Sequence, residues 1–91
     1  MTRTPHFHIA HRSEVDGRVV NAGEEPEVWS TRESACERID RILRDIRSRR
    51  RVIILRDRDW VQVSWHDDKV VTHLFRLIEC SKERCLEVAG G

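Results

Sequence analysis

The chain reads as an α+β domain, in the order ββαβββ with a short helical stretch at the end. Three observations predict this. One segment carries apolar residues at helical spacing. Four or five others carry β-branched and aromatic residues between turn signals. After the helix, the strand-like segments are separated only by the tight turn signals Asp57-Arg58 and Asp67-Asp68, which makes them a meander. Ninety-one residues suit a single domain spanning 1–91, with flexible residues expected at both ends.

Residues 6–12, HFHIAHR, alternate and predict a strand with Phe7 and Ile9 on one side. Asp16-Gly17 signals a tight turn into a short return strand, Arg18 to Val20. Residues 21–26, NAGEEP, predict a loop. Ser30 and Glu33 fit a capping box that opens a helix over about 30–49. Its apolar stripe is Ala35, Cys36, Ile39, Ile42, Leu43 and Ile46. Opposite charges four apart, such as Asp45 with Arg49, line the remaining surface.

A three-stranded antiparallel meander over about 51–78 follows. Two-residue loops at Asp57-Arg58 and Asp67-Asp68 pair Leu55 with Trp60 and Trp65 with Val70. Side-chain alternation then places Val52, Ile54, Val61, Val63, Trp65, Val70, Thr72 and Leu74 on the face that takes the helix. The second face carries Leu55, Trp60, His73, Phe75 and Leu77, an apolar cluster unusual for a wet sheet face. Only the N-terminal strand remains to cover it. Residues 81–89 predict the final helical stretch.

Composition excludes several functions. Seventeen Lys plus Arg balance sixteen Asp plus Glu, so a net charge of +1 makes no field that draws in a polyanion. The longest apolar run, Val52 to Leu55, is too short for a membrane span, and the first residues lack a signal-peptide core. A cytoplasmic location is expected. Four glycines, two of them Gly90-Gly91, leave no phosphate-cradling loop.

The densest charge is RSRRR, with Arg47, Arg49, Arg50 and Arg51. These arginines fall at the carbonyl end of the predicted helix, where cations are favoured by roughly 0.3–1 kcal/mol each. They need no ligand to be explained, but they are also the candidate nucleic-acid contact. His6, His8 and His11 share the N-terminal segment, and Cys80 and Cys85 are the obvious complement to them. Cys-x4-Cys without a second close pair is weak metal-ligand spacing, so no stoichiometric zinc and no cofactor are expected. Ser64 and His73, read as neighbours on one face, are the nearest approach to a catalytic constellation, and nothing accompanies them as an oxyanion donor.

The function these features favour is non-enzymatic. The expected protein is a small binding module (a homodimer, or an inhibitor or adaptor of a larger partner) docking through Leu55, Trp60, Phe75, Leu77 and His73. A nucleic-acid module using Arg47 to Arg51 is the alternative, and a small enzyme centred on Ser64 and His73 the weaker one. No family is assigned.

Overall fold

In the computed structural model, which describes residues 5–81, β1 (His6–Val15) and β2 (Arg18–Glu24) form a hairpin. Helix α1 (Arg32–Arg49) follows, then β3 (Ile53–Arg56), β4 (Trp60–His66) and β5 (Val70–Cys80). The strands make one antiparallel sheet in the order β2-β1-β5-β4-β3. The α+β class and the ββαβββ order are those read from the sequence. The predicted C-terminal helical stretch and Cys85, and the residues expected to be flexible at both ends, lie outside the described residues.

Local chemistry accounts for the elements. Asp16 and Gly17 take φ of 51° and 83°, the left-handed pair a two-residue hairpin turn requires. The hairpin is longer than expected: β1 runs to Val15, and Asn21 to Glu24, expected in a loop, continue β2 by pairing with Ser13 to Ala10. Its register shifts after Ser13, where Ser13 faces Asn21 and Glu14 faces Val19, leaving Val20 as the extra residue of a bulge. The turn is latched to β5: Asp16 N–H donates to the Val70 carbonyl (2.8 Å), and Val70 N–H donates to Asp16 Oδ1 (2.9 Å).

The helix starts one residue later than the Ser30 capping box predicts. Thr31 is the cap, and its Oγ1 accepts from Ser34 N–H at 3.1 Å. The end at Arg49 agrees with the sequence reading, with Arg47 and Arg49 in the last turn. Ala35, Ile39 and Leu43, four apart, point inward. They meet Phe7, Ile9, Val61, Val63, Phe75 and Leu77 in the core. Each large side chain buried there contributes about 1.5–3 kcal/mol.

Two register corrections follow. At the first turn of the meander, Asp57 N–H donates to the Trp60 carbonyl at 2.9 Å, so Arg58 and Asp59 are the loop residues rather than Asp57 and Arg58. Leu55 therefore faces Gln62, not Trp60. This slip is two residues in register, and it leaves every side chain on the expected face. At the second turn His66 pairs with Val70 around a three-residue loop, Asp67 to Lys69. That slip is one residue, and it inverts β5. Val61 faces Phe75 and Val63 faces His73, so Val71, His73, Phe75 and Leu77 lie on the helix side. Val70, Thr72 and Leu74, expected under the helix, lie on the outer side.

The N-terminal strand is also placed differently. It does not cross the outer face. It is inserted in the sheet beside β5, pairing from His6↔Cys80 to Val15↔Val71. Phe7 and Ile9 thereby join the core under the helix. Among the described residues, one helix covers one face of the five-stranded sheet.

Candidate functional site

The expected apolar patch divides between the two faces. Phe75 and Leu77 are core residues, 7% and 9% exposed, and cannot be reached by a partner. His73 lies with them on the helix side. Leu55 and Trp60 remain on the outer face, where inverted β5 supplies Leu74 in place of Phe75. Trp60 faces Arg76, and Gln62 lies between Leu55 and Leu74. Ile53 joins them two residues along β3. Ile53, Leu55 and Trp60 are 67%, 52% and 37% exposed. Beyond this corner the face carries both signs of charge, with Arg12 facing Ala22 and Ala10 facing both Glu24 and Arg76.

The arginine run is partly used inside the molecule. Arg50 lies over the Trp65 ring, 4.4 Å from its centroid, and pairs with Asp67 at 3.5 Å. Arg49 pairs with Asp45, as the helical spacing predicts, at 3.5 Å. Arg47 turns instead toward β3. It lines a groove of about 650 Å³ with Arg44, Arg56, Asp40, Leu43, Val52 and Ile54. Arg56 is held there by Asp40 at 2.6 Å. Arg51 is exposed.

Ser64 and His73 do not form a pair. Ser64 faces Thr72 on the outer side, whereas His73 faces Val63 on the helix side. The serine that does meet His73 is Ser13, on β1, whose Oγ is 2.6 Å from His73 Nδ1. Sequence reasoning missed it because the β1–β5 pairing was not anticipated. Trp65 and Phe75 flank the imidazole at centroid distances of 5.1 and 6.4 Å. Burial, then the charges of His11 and Arg50, holds the His73 pKa below its ordinary value. A base of this kind needs a group to orient its other nitrogen, and no carboxylate contacts His73 among the described residues. The arrangement is a hydrogen-bonded core edge.

The β1–β5 ladder creates one further cluster. His6 faces Cys80 directly, and His8 projects from the same side two residues along. His6 Nε2 and His8 Nε2 are 3.0 Å apart, with the rings edge to face. Candidate donor atoms of His6, His8 and Cys80 all lie within 4.8 Å of one another. His11, grouped with these histidines by sequence, projects from the opposite face toward Asn21, 3.3 Å away.

No helix among the described residues is long and apolar enough to cross a membrane. Compared with known families, curated proteins and solved structures, the chain matches none.

Proposed function

We infer that this chain is a non-enzymatic protein-binding module whose docking surface is the outer corner of the sheet, and that its occupant is a second copy of the same chain. The observation that carries this reading is the exposure of Ile53, Leu55 and Trp60 beside Leu74 on a face that α1 leaves open. Large apolar side chains contiguous on a surface mark interfaces. A two-fold interface requires a self-complementary patch. The apolar corner supplies its centre, and the adjacent rows supply both Arg12 and Arg76 and both Glu14 and Glu24, so each sign can meet the other across the axis. A net charge of +1 adds little long-range repulsion between copies.

Sedimentation velocity across a concentration series tests this. The wild type is expected to self-associate and Leu55→Asp to be monomeric, with circular dichroism unchanged. A monomeric wild type at high concentration overturns the homodimer. In that case a different protein that binds wild type and not Leu55→Asp retains the docking face alone.

The arginines support a second, weaker reading as a contact for nucleic-acid phosphates. Arg49 and Arg50 are occupied by Asp45 and Asp67, which leaves Arg47 and Arg51 as the available cations of the run. Two phosphate contacts give a log–log salt slope of about −2, and weak binding without sequence preference. Nanomolar affinity near physiological salt, lost in Arg47→Glu with Arg51→Glu, would displace the docking reading.

A further inference from the structure

We propose that His6, His8 and Cys80 form a binding site for a borderline-soft divalent transition metal, with zinc the natural occupant. The expectation of no zinc rested on spacing along the chain. That spacing says nothing about residues brought together by a sheet. Seventy-four positions apart, His6 and Cys80 are cross-strand neighbours, and directly opposed residues project from the same side. His8 is on that side as well, because successive residues of a strand alternate. Paired backbone therefore aims all three side chains at one point.

The dimensions suit a metal ion. Two nitrogens bound tetrahedrally at ~2.05 Å from zinc stand ~3.3 Å apart. The two Nε2 atoms are 3.0 Å apart, and the whole donor set spans 4.8 Å. Two imidazole nitrogens and a thiolate form a donor set that prefers zinc, cobalt or copper over calcium or magnesium.

A second observation points the same way. His6 is 1% exposed, and among the described residues its buried Nδ1 has no hydrogen-bond partner. Its other nitrogen is directed at a second imidazole nitrogen, a contact in which only one of the two atoms can donate. Buried polar atoms are rarely left so poorly matched. A cation held between the two Nε2 atoms requires the tautomer with hydrogen on Nδ1 in both rings, and it replaces one imidazole–imidazole hydrogen bond by two nitrogen–metal bonds. Binding would convert the Cys80 thiol to a thiolate and release one proton. Three protein donors leave a fourth position for water or an added ligand. Because the site joins the first residue of β1 to the last of β5, the ion would also clasp the two strands together at one end of their ladder.

Cobalt(II) titration of the reduced, metal-stripped full chain tests the site. One cobalt per chain is expected, with near-ultraviolet thiolate-to-cobalt charge transfer and visible bands of tetrahedral intensity. Zinc should displace it. Cys80→Ser should abolish the charge-transfer band. His8→Ala, a change at a half-buried position that spares the core, should weaken binding at least tenfold. Cys36→Ser, on the helix, should change neither. Zinc should further protect Cys80 from alkylation, read by peptide mass, and raise the melting temperature of wild type only. Absence of cobalt binding by the reduced protein overturns the proposal. So does binding that survives both Cys80→Ser and His8→Ala, since the metal would then sit on other residues.

Discussion

The two faces of the sheet are written in the same kind of residue and have opposite fates. Val61, Val63 and Phe75 on one side are at most 7% exposed, whereas Ile53, Leu55 and Trp60 on the other are at least 37% exposed. β-propensity does not distinguish them, because it measures fitness for a pleated surface and not which side of that surface is covered. Cover comes from α1, and α1 can lie on only one side. The comparison teaches that, among these six residues, an apolar side chain is buried only on the side that the Ala35–Ile39–Leu43 stripe covers.

The sharpest way to break that contrast is a matched pair of truncations on β5. Phe75→Ala, under the helix, is expected to cost about 3–5 kcal/mol of folding stability by cavity formation. Leu74→Ala, one residue away on the outer face, should cost less than about 1 kcal/mol. Urea denaturation of both gives the answer. Equal costs would mean that the outer face is also packed.

Trp60 sharpens the contrast from the exposed side. Trp60→Ala should weaken self-association by about 2 kcal/mol or more while the monomer keeps its fold. Sedimentation equilibrium beside thermal melts separates the two effects. A mutant that simply unfolds would make Trp60 part of the core.

A smaller effect is expected at the start of the helix that makes the faces unequal. Thr31→Ala should cost about 1 kcal/mol, since Thr31 Oγ1 caps Ser34 N–H, and Ser30→Ala should cost close to nothing. The comparison of their urea midpoints locates the cap directly.

The last prediction concerns pH on the covered face. The His73 pKa is lowered from its ordinary 6.5, first by burial, then by His11 and Arg50. The unfolded chain therefore takes up a proton at a pH where the native one does not. Stability from this residue is complete above about pH 6.5 and declines as pH falls from there toward the lowered native value. His73→Gln should flatten the pH dependence of the urea midpoint between pH 7.5 and 5.5. His6, lowered by burial and then by His8, contributes in the same direction and remains in that variant. An unchanged slope would place His73 in water.

Much of the architecture is legible in the residues alone. The stripe of Ala35, Ile39 and Leu43 can be buried only as a helix, because its period is 3.6. Asp16-Gly17 can make a two-residue turn because both positions tolerate positive φ. Arg49 ends the helix where the dipole favours cations. These are local properties, set by residues within a turn of one another.

The docking corner and the histidine–cysteine cluster were not legible in the same way, and the reason is parity and pairing. Placing the turn at Asp57-Arg58 instead of Arg58-Asp59 moves the register by two and preserves both faces. Reading Asp67-Asp68 as a two-residue loop, where three residues span the turn, moves it by one and exchanges Phe75 for Leu74. Aspartates and a lysine serve either loop, so composition does not decide its length; the latch between Asp16 and Val70, far apart in the chain, is what positions the start of β5. The neighbour of β1 is likewise a long-range choice. Insertion of β1 beside β5 buries Phe7 and Ile9 under the helix and, as a consequence, sets His6 opposite Cys80 and Ser13 against His73. The chain thus determines by itself which segments are helix and strand, since propensity and periodicity act over a few residues. Which side of each strand is buried, and which distant side chains meet, is decided only when the whole sheet closes around one core.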